Sequence, residues 1–231
     1  MSEEYRVSPW VMFRRRLLRF VFRPIFRLLI RVQITGEENI PMGKPYLIAA
    51  NHVSIFEPPF ILAFWPEIPE AIAGHDVWER GGQGLLVKWY GALPVHRGEY
   101  DREIIRNMMS ALLSGRSLLI FPEGGRSHTP GMRQAMPGVA YLMEKAGVPI
   151  LPVGIKGTRN NSLELLKKAK RPTFEMRIGK PFTIPPITEK GEARREARRR
   201  NADLVMLKIA ALLPEEYHGA YQGQVKDFPE T

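Results

Sequence analysis

The sequence predicts an α/β domain in which helices flank a mixed, largely parallel sheet, with an amphipathic helical segment at the N-terminus. Three observations lead to this prediction. Short apolar runs bounded by glycine, proline or asparagine alternate with segments of helical periodicity, a pattern typical of α/β domains. The chain has 231 residues, of which 44% are hydrophobic, enough for a sizeable core. A stretch rich in arginine and apolar residues precedes the first of these runs.

Residues 1–31 are predicted to be a basic amphipathic helical anchor on a membrane surface. Arginine recurs at every fourth position from Arg15 to Arg31, and aliphatic and aromatic residues fill most of the positions between. On a helix this spacing forms one stripe, which would face anionic headgroups while the apolar residues enter the membrane interface. Pro24 is expected to kink or split the helix. The alternative is an ordinary helix packed on the core, with a solvated arginine face.

Residues 32–214 are predicted to form the main domain, and residues 215–231 a loosely held tail. The apolar runs are short and bounded by turn-forming residues, as expected of buried strands. They predict strands at 32–36, 45–51, 71–74, 91–97, 117–124, 149–155 and 173–179. The helical patterns predict helices at 59–65, 76–90, 101–114, 136–146, 160–168 and 189–213.

Composition narrows the possible functions. The chain has no cysteine, which excludes disulfides, thiolate nucleophiles and cysteine metal sites. Its net charge of +10 indicates an anionic partner: a nucleic acid, an anionic lipid or a phosphorylated substrate. The most basic run, GEARREARRR at 191–200, mixes glutamate with arginine, which is typical of a solvated helix face and not of a nucleic-acid site. The chain has no uncharged stretch of about 18 residues that would predict a transmembrane helix.

The stretch NHVSIFEPP, at residues 51–59, suggests a general base at a strand end. Ligands of α/β sheets bind outside the carboxyl ends of the strands. Glu57 precedes a proline, so residues 52–57 are predicted to be a loop in which the side chains of His52 and Glu57 can meet. A carboxylate on one ring nitrogen would leave the other nitrogen to accept a proton from a hydroxyl. The alternative is a structural role for both residues: His52 would bind a backbone carbonyl in the loop, and the charge of Glu57 would favour the start of the next helix.

Two arginines at other strand ends are candidate phosphate ligands. Arg97 lies in PVHRGE, and Arg126 lies in FPEGGRS, after Glu123 and two glycines. A guanidinium offers two parallel donors to a phosphate, and glycine lets the backbone approach a ligand closely. The alternative for each arginine is a surface salt bridge. No spacing of histidines predicts a metal site, and the chain lacks the G-x-S-x-G turn of serine hydrolases.

In this order and spacing, the blocks NHVSIFE, GALPVHRGE, FPEGGRS and LPVGI resemble the four motifs of the glycerophosphate acyltransferase superfamily, over about residues 32–180. The likeness is to the bacterial 1-acyl-sn-glycerol-3-phosphate acyltransferase (lysophosphatidate acyltransferase) family. It implies that His52 is the general base and that Glu57 orients it. The family usually has aspartate at this position, so an aspartate at 57 is expected to be tolerated. The resemblance also implies a substrate-binding set: Asn51, Arg97, Glu123, Gly124, Gly125 and Arg126.

The reaction follows from the same resemblance. A fatty acyl group would pass from acyl-CoA or acyl-carrier protein to the free hydroxyl of 1-acyl-sn-glycerol 3-phosphate and give phosphatidate, without a metal or other cofactor. The protein would be peripheral or monotopic on the cytoplasmic face of the cell membrane. Its partner would be an anionic membrane surface, and it would not bind nucleic acid. Alternatives are another lysophospholipid, glycerol 3-phosphate or a lipid-linked acceptor, or a basic membrane-surface protein without catalytic activity.

Overall fold

The computed structural model describes residues 5–96, 102–129, 131–159 and 161–225. Within these residues the core is a sheet of seven strands. They are β1 (Arg31–Thr35), β2 (Leu47–Ala50), β3 (Glu70–Gly74), β4 (Leu93–Val95), β5 (Leu118–Ile120), β6 (Ile150–Lys156) and β7 (Thr173–Ile178). Their order is β1-β7-β6-β2-β5-β3-β4, and every neighbouring pair is parallel except β6 and β7, which are antiparallel. The predicted mixed, largely parallel sheet is confirmed.

The described part of the chain also forms seven α-helices around this sheet. They are α1 (Pro9–Leu29), α2 (Glu57–Phe64), α3 (Gly81–Tyr90), α4 (Arg102–Leu113), α5 (Pro137–Ala146), α6 (Asn161–Lys167) and α7 (Gly191–Ala210). The helix predicted at 76–90 is shorter than expected, because residues 75–79 form a 3-10 turn and α3 begins after it. The start of the tail also differs from the prediction, since Tyr217 and Tyr221 are buried in the core.

The central strands are buried on both faces of the sheet. All four residues of β2 are fully buried, and successive side chains point to opposite faces. Ile48 and Ala50 belong to an apolar cluster with residues of α1 and α2, whereas Leu47 and Ala49 belong to one with residues of α4, α5 and α7. Burial on both faces explains why this run is continuously apolar instead of alternating.

Three arginines of the α1 stripe face the protein (Arg15, Arg19 and Arg23), so the orientation expected for them is wrong, whereas Arg27 is exposed. The helix packs against α2. Arg19 donates to the carbonyl oxygen of Trp65 (2.5 Å), and Arg23 donates to that of Ala63 (2.6 Å). These oxygens lie in or just after the last turn of α2, where carbonyl groups have no partner within the helix. The arginines therefore complete the hydrogen bonding of a buried helix end.

The opposite side of α1 is apolar and exposed. Phe20 is 78% exposed and Leu28 is 73% exposed, and Trp10 and Phe13 stack on each other nearer the start of the helix. Pro24 lies inside the helix without splitting it, since α1 extends to Leu29. In the described ranges, neither α1 nor any other helix combines the length and hydrophobicity that a membrane span requires.

Candidate active site

The topology brings polar residues together at one edge of the sheet. β6, β2 and β5 are neighbouring parallel strands, so their carboxyl ends meet there. His52 follows β2, Glu123 follows β5 and Thr158 follows β6. Glu57 is contributed by the start of α2. Short, fully buried strands hold the attached loops in fixed positions, and these loops carry the site.

The imidazole of His52 is hydrogen-bonded to the carboxylate of Glu57. Nδ1 of His52 lies 2.8 Å from Oε2 of Glu57. The glutamate is 0% exposed, and the histidine is 15% exposed. Among the described residues none is hydrogen-bonded to Nε2, and the ring lines an open cavity. The geometry suits a histidine that exposes one nitrogen to a ligand while the other is held by a buried carboxylate.

The carboxylate of Glu57 accepts hydrogen bonds on both oxygens. The backbone N–H of Val53 donates to Oε2 (2.9 Å), and the hydroxyl of Thr158 donates to Oε1 (2.8 Å). Hydrogen bonds from these donors replace those that water would make to the buried carboxylate. The negative charge of Glu57 is therefore stabilised by the protein on the side away from the cavity.

The predicted loop at 52–57 ends one residue early, because Glu57 is already the first residue of α2. The helix begins two residues before Pro59, the position at which it was expected to open. Backbone N–H groups in the first turn of a helix have no partner within it, so Pro58 and Pro59 fit there without loss of a hydrogen bond. The contact between the two side chains is unaffected, since residues 52–56 still form a turn.

The ring and backbone of His52 are fixed from several directions. The ring stacks on Phe121, with 4.3 Å between ring centroids. The backbone carbonyl of His52 accepts from the N–H of Ser127 (2.8 Å), and its N–H donates to Oε1 of Glu123 (2.6 Å). The loop after β5 therefore holds the loop after β2.

Glu123 ties two loops together through its carboxyl group. It accepts from the N–H groups of His52 (2.6 Å) and Arg133 (2.8 Å) and is almost fully buried. Burial raises the pKa of Glu123 to about 8, and the negative charge of Glu57 adds to the rise, against the opposing effect of the two N–H donors. At neutral pH the carboxyl group is therefore largely protonated, and this part of the site carries less negative charge than the sequence suggests.

Gly124, Gly125 and Arg126 line the same cavity as His52. Gly124 has φ +66°, and a Cβ atom there would lie 2.4 Å from Cγ of Met136, so this position requires glycine. The Arg126 side chain is half-buried, and within the described residues no carboxylate is paired with it. A cation without a partner beside the histidine is available to an anionic ligand. Arg97, the other predicted phosphate ligand, lies outside the described residues.

Asn51 has a different place from the one expected. Its side chain is fully buried, Nδ2 donates to the carbonyl oxygen of Ile155 (2.9 Å), and Oδ1 accepts from the N–H of Ile155 (2.7 Å). Both polar atoms of the amide are thus occupied by the backbone of β6. The position supports a role in joining β2 to β6, and it gives no support to the predicted contact with substrate.

The cavity beside His52 has a volume of about 1460 Å³. That exceeds the ~300–1,000 Å³ of pockets for small ligands. Its lining residues come from α1 and α3 and from α4 and α5, among other elements. The apolar lining includes Leu18, Phe22 and Leu86 from the first pair of helices, and Ile104, Met108 and Leu142 from the second. The space suits a long apolar ligand whose polar part lies at the strand ends.

Two contacts of the site were missed by sequence reasoning. Thr158 binds Glu57, and Phe121 stacks on His52. Thr158 follows β6 at the same sheet edge, so the strand-end rule that singled out His52 could also have found it. Phe121 had no such signal, because it continues the apolar run of β5. In the part of the chain that the structure describes, no group of three or more acidic or histidine side chains could hold a metal ion.

The family model described as Acyltransferase matches residues 31–156, which include His52, Glu57, Glu123 and Arg126. The chain is 26% identical over 165 residues to 1-acyl-sn-glycerol-3-phosphate acyltransferase alpha of Mus musculus, with 70% of this chain and 56% of that protein covered. It is 32% identical over 149 residues to lyso-ornithine lipid O-acyltransferase of Pseudomonas aeruginosa, with 64% and 56% covered. The chain spans about half the length of the curated relatives it matches.

A second bacterial relative and a solved structure complete the comparison. The chain is 28% identical over 134 residues to 1-acyl-sn-glycerol-3-phosphate acyltransferase of Borreliella burgdorferi, with 57% of this chain and 53% of that protein covered. The crystal structure of the 1-acyl-sn-glycerophosphate acyltransferase of Thermotoga maritima matches with a TM-score of 0.59 and 23% identity, over 83% of this chain and 78% of that one. The structural likeness shows that the fold is shared.

Proposed function

The chain belongs to the acyltransferase family, and we propose that it transfers a fatty acyl group to the free hydroxyl of 1-acyl-sn-glycerol 3-phosphate, giving phosphatidate in phospholipid synthesis. The acyl donor is a thioester, either acyl-CoA or acyl-carrier protein. One observation carries the proposal: the ring of His52, bound through Nδ1 to the buried Glu57, faces a large apolar cavity that is also lined by the cation of Arg126, with which no carboxylate of the described residues is paired. An acylated phosphate acceptor needs a base for its hydroxyl, apolar space for its acyl chain and a cation for its phosphate, and the site offers all three.

In the proposed mechanism, Nε2 of His52 takes the proton of the acceptor hydroxyl while that oxygen attacks the thioester carbonyl carbon. Glu57 keeps the other proton on Nδ1 and stabilises the imidazolium that forms. The tetrahedral intermediate collapses, the bond between carbon and sulfur breaks, and the thiolate receives the proton from His52. General-base catalysis of this kind contributes typically ~10²–10⁴-fold to the rate.

The acceptor phosphate is proposed to lie against Arg126, with Arg97 as the second ligand that the family resemblance implies. The guanidinium of Arg126 lines the cavity that contains His52. The raised pKa of Glu123 supports this placement, because a largely protonated carboxyl group repels a phosphate less than a carboxylate would.

We propose that the protein binds the cytoplasmic face of the cell membrane through the apolar side of α1. Its exposed residues continue onto α3, which packs against α1 and exposes Leu85 and Trp89 at i, i+4 spacing. Exposed cations on the same helices, Arg16 and Lys88, can meet anionic headgroups. Residues of both helices line the cavity, so we propose that a lipid enters along them and reaches His52 from the bilayer.

Lyso-ornithine lipid is a second candidate acceptor. The relative with 32% identity is named a lyso-ornithine lipid O-acyltransferase, whereas the two relatives reported above for the lysophosphatidate reaction have 26% and 28% identity. The Arg126 side chain can serve an acceptor with a phosphate. An acceptor without a phosphate would need another anionic group, such as the carboxylate of an ornithine headgroup, to bind this cation.

The test is product formation by the purified chain with a panel of acceptors and donors, followed by mass spectrometry. The acceptors are lysophosphatidate, other lysophospholipids, glycerol 3-phosphate and lyso-ornithine lipid, each with acyl-CoA and with acyl-carrier protein. We expect phosphatidate from lysophosphatidate, and its loss in a folded His52→Ala variant. Preference for another acceptor would replace the proposed substrate. Absence of product from every pair would favour a non-catalytic membrane-surface protein.

A further inference from the structure

We propose that Thr158 is a positioning residue for the reaction proposed above: its hydroxyl orients the Glu57 carboxylate that holds His52. The inference rests on the proposed function for its catalytic consequence, although the positioning itself can be measured separately. Thr158 lies just beyond the segment that matches the family model, which ends at residue 156.

The two oxygens of Glu57 have different partners, and Thr158 is the main partner of one of them. Oε2 accepts from the Val53 N–H (2.9 Å) and is bound to Nδ1 of His52 (2.8 Å). Oε1 accepts from the Thr158 hydroxyl at 2.8 Å and from the Val53 N–H at 3.2 Å. Without the hydroxyl, a fully buried oxygen would retain one long hydrogen bond, which is costly for a charged group. Rotation of the carboxylate toward other donors would then weaken its contact with His52.

The turn that carries Thr158 is held firmly. Gly157 has φ +84°, and a Cβ atom there would lie 1.9 Å from the carbonyl oxygen of Thr173. Its N–H donates to the hydroxyl of Tyr217 (2.9 Å), and its carbonyl accepts from the hydroxyl of Ser162 (2.6 Å). Thr158 itself is fully buried. The hydroxyl is therefore presented to Glu57 by a turn that has little freedom to move.

The charges around Glu57 set the expected pH effect. Two titratable groups of the described residues interact with Glu57. His52 shares a hydrogen bond with it, and the pKa of Glu123 is raised in part by the Glu57 charge. Rotation of the carboxylate after loss of the Thr158 hydroxyl weakens its contact with Nδ1 of His52, so the imidazolium loses part of its stabilisation. The imidazolium then gives up its proton at lower pH, and the acidic limb of kcat/KM moves to lower pH.

The experiment compares Thr158→Val, which keeps the shape and removes the hydroxyl, with Thr158→Ser, which keeps the hydroxyl. Ser117→Ala is the matched control, because it removes a buried hydroxyl just before the amino end of β5, at the edge of the sheet opposite the site. Each variant is assayed for kcat, KM and the pH dependence of kcat/KM. The protonation and tautomer of His52 are followed by NMR of protein labelled with ¹⁵N-histidine, and thermal unfolding is used to confirm folding.

We expect Thr158→Val to lower kcat at least about tenfold with little change in KM, the scale of a hydrogen bond to a charged group, and to shift the acidic limb to lower pH. Thr158→Ser should restore both, and Ser117→Ala should leave both near wild type. A kcat for Thr158→Val within twofold of wild type would overturn the proposal, as would an equal loss in Ser117→Ala. If the wild-type chain proves inactive, the proposed function fails, and the NMR measurement decides: an unchanged His52 tautomer and pKa in Thr158→Val would refute positioning.

Discussion

The guanidinium of Arg15 and the carboxylate of Glu70 form a bidentate ion pair, with both N–O distances at 2.7 Å, between α1 and the first residue of β3. Both side chains are almost completely buried. Arg116 donates to the same carboxylate (2.5 Å), and Arg15 also donates to the carbonyl of Tyr90 (2.7 Å). The pair therefore joins the N-terminal helix to the sheet and to the end of α3.

Loss of Arg15 should destabilise the fold strongly, because it removes the bidentate partner of the buried Glu70 carboxylate. Removal of one partner of a buried ion pair typically costs ~3–5 kcal/mol. We expect a loss of that order in urea unfolding of Arg15→Met. The control is Arg177→Ala, which breaks an exposed pair with Glu175 and should cost less than ~1 kcal/mol. Equal losses in the two variants would show that the buried pair does not join α1 to the sheet in solution.

The orientation of α1 shows where sequence reasoning reached its limit. The spacing of Arg15, Arg19 and Arg23 correctly predicted an amphipathic helix, but an amphipathic pattern does not tell which side faces the protein. The carbonyl groups at the end of α2 and the carboxylate of Glu70 attract the arginines inward, and neither partner is near α1 in sequence. The buried strands were predictable because their apolar runs are continuous and bounded by turn residues.

The contacts within the candidate site were predictable only where a loop was short. His52 and Glu57 are five positions apart, so one turn brings them into contact. The Thr158 hydroxyl is 101 positions from Glu57, and the Glu123 carboxylate is 71 positions from the His52 N–H it accepts. Such contacts depend on strand order, which the alternation of elements does not specify. For the same reason the amide of Asn51 could not be recognised as a link to β6.

Vesicle binding can test whether the exposed apolar side of α1 is the part of the protein that contacts the membrane. Substitution of Phe20 and Leu28 by serine should reduce sedimentation with anionic vesicles, because these residues form the exposed apolar side. Leu113→Ser is the matched control, since Leu113 is also an exposed leucine but lies at the end of α4. Undiminished binding of the Phe20 and Leu28 variant, or an equal loss in the Leu113 control, would exclude this side as the membrane contact.

Replacement of Arg126 by alanine should weaken binding of a phosphate-bearing acceptor. Loss of a charge-assisted hydrogen bond of ~1.5–3 kcal/mol corresponds to about a tenfold to hundredfold rise in the acceptor KM. The KM for the acyl donor serves as the internal control and should change little. A variant that retains the wild-type KM for lysophosphatidate would remove Arg126 from the acceptor site.

The structure changes the expectation for Glu57→Asp. The family resemblance favours tolerance, but the glutamate carboxylate is bound by His52, Val53 and Thr158 at 2.8–2.9 Å. A side chain shorter by one carbon–carbon bond, about 1.5 Å, cannot keep all three contacts from the same backbone position. We expect kcat to fall about tenfold or more, with KM little changed. Wild-type kcat in the aspartate variant would show that the start of α2 shifts to restore the contacts.

A double-mutant cycle of Glu57→Asp and Thr158→Val tests which contact the aspartate loses. If Glu57→Asp loses its contact with Thr158, then Thr158→Val should have little further effect in that background, and the two losses should not add. Additive losses would indicate that the aspartate keeps the Thr158 contact and loses a different one.

The raised pKa of Glu123 predicts a pH dependence of stability. The folded chain keeps this proton up to about pH 8, whereas an ordinary glutamate loses it near 4.5. Between these values the folded state binds more protons than the unfolded state, so the contribution of this group to stability is complete below pH 4.5 and is lost as the pH rises toward 8. Glu123→Gln should therefore show a smaller fall in unfolding free energy between pH 5 and about 8 than the wild type. Parallel pH profiles for the two proteins in urea unfolding would show that Glu123 ionises normally in the folded chain.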